Sequence, residues 1–396
     1  MVRLYETSGR LVDFLVTTHF RYLYYRIAWD DRLIMIRGSR GVGKTTMMLQ
    51  RCRQIGDTAL YASLDQLFFN EHTIVDLADY HYKHGGTHLF LDEVHLYPRQ
   101  NWEQELKNIY DSYPTMHVVF TGSSLLQLNS KIADLSRRIA IYELYGLSFR
   151  EFLNFSGEVN FSAYTLEELL RDHVSIAREI SSQVTVIREF ERYLQSGYYP
   201  FFLESSGSTY LQRVERTVLT VIDKDIPAVA DIEYETQLKL KKLLVVLADQ
   251  VPFMPNISAL GRDIGVSRNQ LMKYFTLLGE GKIIRTLAST KSQTKGISKP
   301  EKILFDNTSV MQALGIFNKT GTVRECFAAS MLSSQGKLAA PPEGDFQLDG
   351  KYLFEVGGMK KGFSQIADIP DSYVLADNLE SGFGNKLPLW LIGFIY

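Results

Sequence analysis

Cysteine is almost missing: Cys52 and Cys326 are the two in 396 residues, and neither lies in a CxxC or other metal-ligand spacing. That argues against a disulfide framework and a cysteine-ligated zinc, and leaves two buried thiols of a reducing compartment as the expectation. Long apolar runs are missing too. Nowhere do the roughly 18 successive apolar residues of a membrane span occur, and the opening MVRLYETSGRLVDFL has no leader core. The expectation is a cytoplasmic chain with no membrane partner. Net charge is close to nil, at −2, so nucleic acid could be held only by a local basic face. Low-complexity tracts and short repeats are also lacking. What remains, with 45 % hydrophobic and 22 % charged residues, is a folded chain too long for one ordinary core; three domains are expected. The closing LPLWLIGFIY is too short to cross a bilayer and reads as a buried strand.

Against this background one stretch stands out. DRLIMIRGSRGVGKTTMMLQRC has an apolar run Leu33–Ile36, then Gly38, Ser39, Arg40, Gly41, Val42, Gly43, Lys44, Thr45 and Thr46, then helix-compatible residues through Cys52. Strand, glycine-rich loop and helix follow in the order of a GxxxxGK(S/T) phosphate loop, with every fixed position matched. Glycines let successive N–H groups face phosphate oxygens, and the helix N-terminus adds partial positive charge. Lys44 would reach the β- and γ-phosphates of ATP, and Thr45 would offer its hydroxyl to Mg2+.

A second apolar run, Leu89–Leu91, delivers Asp92 and Glu93 at its end. Open α/β sheets hold ligands at the carboxyl ends of their strands. Asp92 would hold Mg2+ through water, and Glu93 would polarise the attacking water. Asp92-Glu93-Val94-His95 also spells a helicase-like DExH box, but residues for a second tandem lobe are lacking and the following strand ends in FTGSS rather than Ser-Ala-Thr; His95 is read as structural. That strand, Val118–Phe120, brings Thr121 and Ser123 to where a hydroxyl could contact the γ-phosphate or the lytic water; a plain Gly/Ser turn is the alternative. The segment FRYLYYRIAW could lie near an adenine, although Phe20, Leu23, Tyr24 and Ile27 have the spacing of a core face.

The succession GSRGVGKTT, ALYASLDQ, HLFLDEVHLYPRQNWEQELKNIYD, VVFTGSSLLQL, LSRRIAIYELYGLSFREFL and FERYLQSGYYP resembles a family of prokaryotic AAA+-type P-loop ATPases over essentially the whole chain. The resemblance implies an α/β ATPase domain with a parallel sheet, then a winged-helix element and a small α+β restriction-endonuclease-like domain of unassigned function. It makes Thr121 or Ser123 the hydroxyl called sensor 1. The family's closing Gly-Arg pair is here Arg137-Arg138, so Arg138 is either an arginine facing a γ-phosphate, in its own chain or a neighbour's, or one of a solvated pair.

Beyond about residue 155 the pattern is helical, and the sequence divides into an ATPase domain (1–155), a helical linker or lid (156–235), a winged helix-turn-helix (236–300) and a nuclease-like domain (301–396). Helices are expected over Gln237–Leu247, Ile257–Asp263 and Arg268–Gly279, with a wing formed by KIIRTLAST and KPEKILF. Ser267 would cap the third helix, whose Arg268, Asn269, Gln270 and Lys273 could contact DNA; packing against the ATPase or a protein partner is the alternative. Nuclease cores of this type pair an Asp with an acidic-x-Lys strand. Asp345, Glu355 and the more distant Glu325 supply carboxylates for Mg2+, but Gly357 stands at the lysine position, with Lys360 and Lys361 nearby. The expectation is a degenerate scaffold. The leading reading is an ATP-binding and ATP-hydrolysing protein whose nucleotide state controls DNA or partner-protein binding, as a monomer or a homo-oligomer. Its rivals are a slow nucleotide-dependent interaction switch and an ATP-regulated DNase.

Overall fold

LIMIRG, ALYAS, HLFLD and HVVFTGS are apolar almost throughout, as suits parallel strands covered on both faces. In the computed structural model they are β1 (Leu33–Gly38), β2 (Ala59–Ser63), β3 (His88–Asp92) and β4 (His117–Ser123). With β5 (Ala140–Glu143) they form one parallel sheet of order β2-β3-β4-β1-β5. The structure describes residues 1–396 except 16–18, 126–134, 136, 158, 206, 251–255, 291–298 and 317–318. The register pairs Gly38 with Ser123 and Leu91 with Phe120. The ends of β1, β3 and β4 therefore share one edge, with β4 in the middle.

The chain divides into two units, Met1–Tyr145 with Asp223–Ile232, and Gly146–Ile222 with Glu233–Tyr396. In the first, Leu4, Leu77, Trp102 and Leu106 from helices Val2–Asp13, Ile74–Lys83 and Trp102–Ser112 pack into a core with Leu33, Leu60, Leu89 and Phe120. Each such side chain contributes roughly 1.5–3 kcal/mol by leaving water. Helix Lys44–Ile55 packs on the sheet with Met47 and Met48 buried. The discontinuous piece carries the short helix Ile226–Val229; its Ile226 is buried and its Val229 packs against the same core.

The second unit begins earlier than the sequence suggests. Ser148 and Glu151 form a capping box that starts helix Phe149–Ser156. The Ser148 hydroxyl donates to the Tyr396 carbonyl at 2.6 Å, and the Phe149 ring lies 5.8 Å from that of Phe394. The Leu147–Leu153 run thus packs within this unit. Helices Leu166–Ser181, Val186–Ser196 and Gly207–Thr220 follow, as the periodicity predicts.

Next come helices Tyr234–Gln250, Ile257–Ile264 and Arg268–Glu280, then an antiparallel pair β6 (Ile284–Leu287) and β7 (Lys302–Phe305). β7 therefore pairs back across the expected boundary at 300, and residues 291–298 of the expected wing lie outside the described residues. Strands β8 (Leu338–Ala339), β9 (Phe346–Leu348), β10 (Tyr352–Gly357), β11 (Ser372–Ala376) and β12 (Lys386–Pro388) form a mixed sheet of order β12-β11-β10-β9-β8. The closing apolar segment is buried, but only Lys386–Pro388 is strand; Leu389–Phe394 is a 3-10 helix. Pro388 has no N–H to extend a ladder, which ends the strand there.

Candidate active site

β1 ends in the phosphate loop. Gly41 and Gly43 have φ of 85° and 97°, values that side-chain-bearing residues seldom adopt. A Cβ at Gly38 would meet the Leu144 carbonyl oxygen. Gly43 starts helix Lys44–Ile55, whose free N–H groups then face the loop. The Lys44 ammonium is buried and donates to the carbonyls of Gly38 at 2.9 Å and Ser39 at 3.0 Å. Burial lowers its pKa, against the pull of Glu93, Asp92 and Asp225. Thr45 and Thr46 are exposed at the helix start, while Ser39 and Val42 are buried. Arg21, in the aromatic segment, braces the loop from below: its guanidinium donates to the carbonyls of Val42 and, at 2.8 Å, Tyr145. Its neighbours Leu23, Tyr24 and Ile27 are core, as their spacing predicts.

Asp92, at the end of β3, is the centre of the site. One oxygen accepts from the Thr45 hydroxyl at 2.6 Å and the Tyr61 hydroxyl at 2.8 Å. The other accepts from the Thr121 hydroxyl and, at 3.1 Å, the Glu93 N–H. Every one of these donors is neutral, so the carboxylate is oriented with no ammonium or guanidinium bonded to it. Burial next to this anion raises the pKa of the Tyr61 hydroxyl and keeps it a donor. Glu93 has φ 56° and ψ 44°. A left-handed glutamate costs of order 1–3 kcal/mol and is held here by its N–H, shared between Asp92 and the Thr121 hydroxyl at 3.2 Å.

Glu93 belongs to a ring of charges that the sequence concealed. Arg40 of the phosphate loop lies 3.8 Å from Glu93 Oε1 and grips Asp225 with two bonds, Nε to Oδ2 at 3.0 Å and Nη2 to Oδ1 at 2.8 Å. His95 Nδ1 accepts from the Ser123 N–H at 3.3 Å, and its Nε2 lies 3.6 Å from Asp225 Oδ1. Glu93 Oε2 is 3.4 Å from the same Nδ1. Burial works to raise the Asp225 pKa, but the His95 and Arg40 contacts outweigh it and hold the group down at about 2. Asp225 and Tyr61 were missed: Asp225 follows Arg40 by 185 positions, and Tyr61 is placed by strand register alone.

Residues 30–153 match the family model for a AAA domain, and residues 187–320 that for a domain of unknown function, DUF8612. The chain carries a P-loop ATPase domain of AAA type. A curated relative, the uncharacterised protein MJ1637 of Methanocaldococcus jannaschii, is 27 % identical over 306 residues, 74 % of this chain and 63 % of that protein, so the match spans less than two thirds of its length. Among solved structures, a RuvB variant from Thermotoga maritima is 15 % identical, covering 72 % of this chain and 89 % of its own, with a TM-score of 0.31. DnaA from Aquifex aeolicus bound to AMPPCP is 15 % identical over 70 % and 87 %, with a TM-score of 0.25.

Within the AAA domain, Thr121 reaches Asp92 but Ser123 turns its hydroxyl to the Leu125 N–H at 3.4 Å. Arg138 requires correction as a residue of this chain's own site. It lies two residues before Ala140, which pairs with Ile34 near the start of β1, and so at the sheet edge opposite the phosphate loop. There it meets Asp111 at 3.2 Å. Adjacency in sequence to conspicuous motifs says nothing about which edge of a sheet a residue occupies. His95 is structural in being buried, yet it joins the ring around Glu93.

In the second unit Asp345 and Glu355 come together with Glu325, but lysines close the group. Lys302 lies 2.5 Å from Glu325 and 3.2 Å from Asp345, and Lys361 pairs with Glu355. A Cβ at Gly357 would run into the Lys361 side chain at 2.6 Å, so the glycine makes room for the aliphatic stem that carries the Lys361 ammonium to Glu355. Lys360 is exposed. Burial raises the pKa of both Glu325 and Glu355. Among the described residues no three His, Cys, Asp or Glu side chains are grouped to hold a metal, and the Lys302 and Lys361 ammonium groups lie against the carboxylates that the nuclease-like reading assigns to Mg2+. Arg268, Asn269, Gln270 and Lys273 are exposed on the helix capped by Ser267, whose hydroxyl accepts from the Gln270 N–H at 3.3 Å. No helix among the described residues is long and apolar enough to cross a membrane.

Proposed function

We propose that the AAA domain binds and hydrolyses ATP and that its nucleotide state controls binding of DNA or a protein partner by the rest of the chain. The observation that carries this reading is the convergence of the Thr45, Tyr61 and Thr121 hydroxyls on Asp92, beside the buried Lys44. The loop N–H groups and Lys44 bind the phosphates. Thr45 and Asp92 offer only hard oxygen donors, which fits Mg2+, an ion that completes its shell with water and phosphate oxygens. Bound there, it would neutralise charge on the β- and γ-phosphates. Glu93 takes a proton from water as that water's oxygen bonds to the γ-phosphorus and the bond to the ADP oxygen breaks. Thr121 fixes the backbone that aims Glu93 and is a candidate contact for the γ-phosphate.

For the output we infer a winged helix-turn-helix, supported by the helices Ile257–Ile264 and Arg268–Glu280 joined at the left-handed Gly265, followed by the β6/β7 pair. Its exposed Arg268, Asn269, Gln270 and Lys273 suit phosphates and base edges. ATP and GTP turnover, measured with and without duplex DNA, tests both parts. ATP turnover that rises with DNA and disappears in Lys44→Ala is the expected result. Turnover indifferent to DNA would move the output to a protein partner, and none at all would remove the ATPase reading.

A further inference from the structure

Asp225 stands at the start of helix Ile226–Val229, where an aspartate commonly caps, yet its side chain caps nothing. Both its oxygens face the phosphate loop instead, and its side chain is 2 % exposed. Buried charges of this kind persist only when paired. Its partner Arg40 also lies 3.8 Å from Glu93, so one guanidinium stands between two carboxylates and is committed to the farther one in sequence.

We propose that Asp225 is a positioning residue for hydrolysis: by gripping Arg40 it keeps that guanidinium from closing on Glu93, and so ties turnover to the docking of residues 223–232 in the AAA unit. The inference rests on the ATPase reading above. Without the Asp225 charge, Glu93 at 3.8 Å is the carboxylate nearest to Arg40, with Asp65 acting on it from farther away. Charge-assisted bonds from an arginine would occupy the oxygens that have to receive the proton of water. His95 supports the arrangement from the other side, its Nε2 directed at Asp225 and its Nδ1 held by the Ser123 N–H. Residues 223–232 are joined at both ends to chain of the second unit. A displacement of that segment would withdraw Asp225 and release Arg40 onto the base, which makes the contact a covalently tethered control of the site.

The test is steady-state ATP turnover by the full chain in Asp225→Asn, Arg40→Ala and the double variant. Asp225→Asn should lower kcat roughly 30-fold, short of the about 100-fold or more expected for losing a general base outright because Glu93 is hindered and not removed, with KM changed less than about 3-fold because uniform binding is kept. In the Arg40→Ala background the same substitution should change kcat less than about 2-fold, since no guanidinium is left to misplace. Asp225→Glu should recover part of the loss. The proposal is overturned if Asp225→Asn costs the same factor in both backgrounds, or raises KM alone, as a merely structural contact would. If Asp225→Asn fails to fold, the double variant decides: turnover at the Arg40→Ala level supports the proposal, and a further loss overturns it. An unmodified chain without turnover overturns this inference together with the ATPase reading, whereas normal turnover with an indifferent Asp225 overturns this one alone.

Discussion

Two groups of buried and half-buried carboxylates among the described residues are satisfied in opposite ways. Around Asp92 the donors are hydroxyls and an N–H, all neutral. Around Glu325, Asp345 and Glu355 they include the ammonium groups of Lys302 and Lys361. Neutral donors orient a carboxylate and leave its charge to attract a cation; a lysine cancels that charge in place. On the reading proposed above, the same residue type is left open to Mg2+ in the first unit, whereas in the second it sits in an ion-pair network. Counting acidic residues at strand ends does not separate the two cases; identifying what donates to them does.

The largest test of this contrast exchanges the same atom in each cluster. Asp92→Asn should reduce ATP turnover by roughly 1000-fold, the scale of losing a metal-holding charge in a phosphoryl-transfer site, whereas Asp345→Asn should leave turnover within about 2-fold. Equal effects would erase the distinction. Next comes stability. Lys302→Met leaves Glu325 and Asp345 without their cation and should lower the unfolding free energy by roughly 3 kcal/mol in urea titrations, while Thr45→Val, which removes one hydrogen bond from a neutral hydroxyl to the Asp92 carboxylate, should cost less, about 1.5 kcal/mol.

Acid should also separate the clusters. Asp225, held at about 2, stabilises the folded state above its unfolded pKa of roughly 4, and that stabilisation is lost as pH falls toward 2. Glu325 and Glu355, whose pKa values are raised, have the opposite sign: the folded state takes up their protons more readily, so their part of the molecule gains as pH falls from those raised values to the ordinary glutamate value. Hydrogen exchange at low pH should expose residues 223–232 before β9 and β10; the reverse order contradicts the assignment. The smallest expected effects are on Arg138 and on DNA cleavage. Arg138→Ala should change turnover less than about 2-fold, as for an exposed ion pair; a large loss would place it in a neighbour's site and call for a native mass measurement with ATP. Plasmid DNA with Mg2+ should stay intact, and cleavage abolished by Glu355→Ala would break the comparison outright.

The phosphate loop, Asp92 and Glu93 were legible because each motif is a short contiguous run whose glycines, apolar flanks and charges have local causes. Strand order was not needed to find them. It was needed for Thr121, which is beside Asp92 because β4 is the neighbour of β3; Arg138 needed strand direction instead, since it precedes the start of the parallel β5 and so lies at the end opposite the phosphate loop. Asp225 gave no signal, since an aspartate ahead of Ile-Pro has an ordinary reading as a helix start. Lys361 was visible as a nearby lysine, but the space above Gly357 that admits it exists only in three dimensions. The closing segment misled because apolar content predicts burial, which is observed, and not the dihedral angles, which Pro388 redirects.

The account stands or falls on Glu93 as the base beside a charge-retaining Asp92. Mg2+-ATP binding and single-turnover hydrolysis, measured together on Glu93→Gln, are the direct test. Binding close to that of the unmodified chain with hydrolysis slowed at least roughly 100-fold is the predicted result; hydrolysis at the unmodified rate would contradict it.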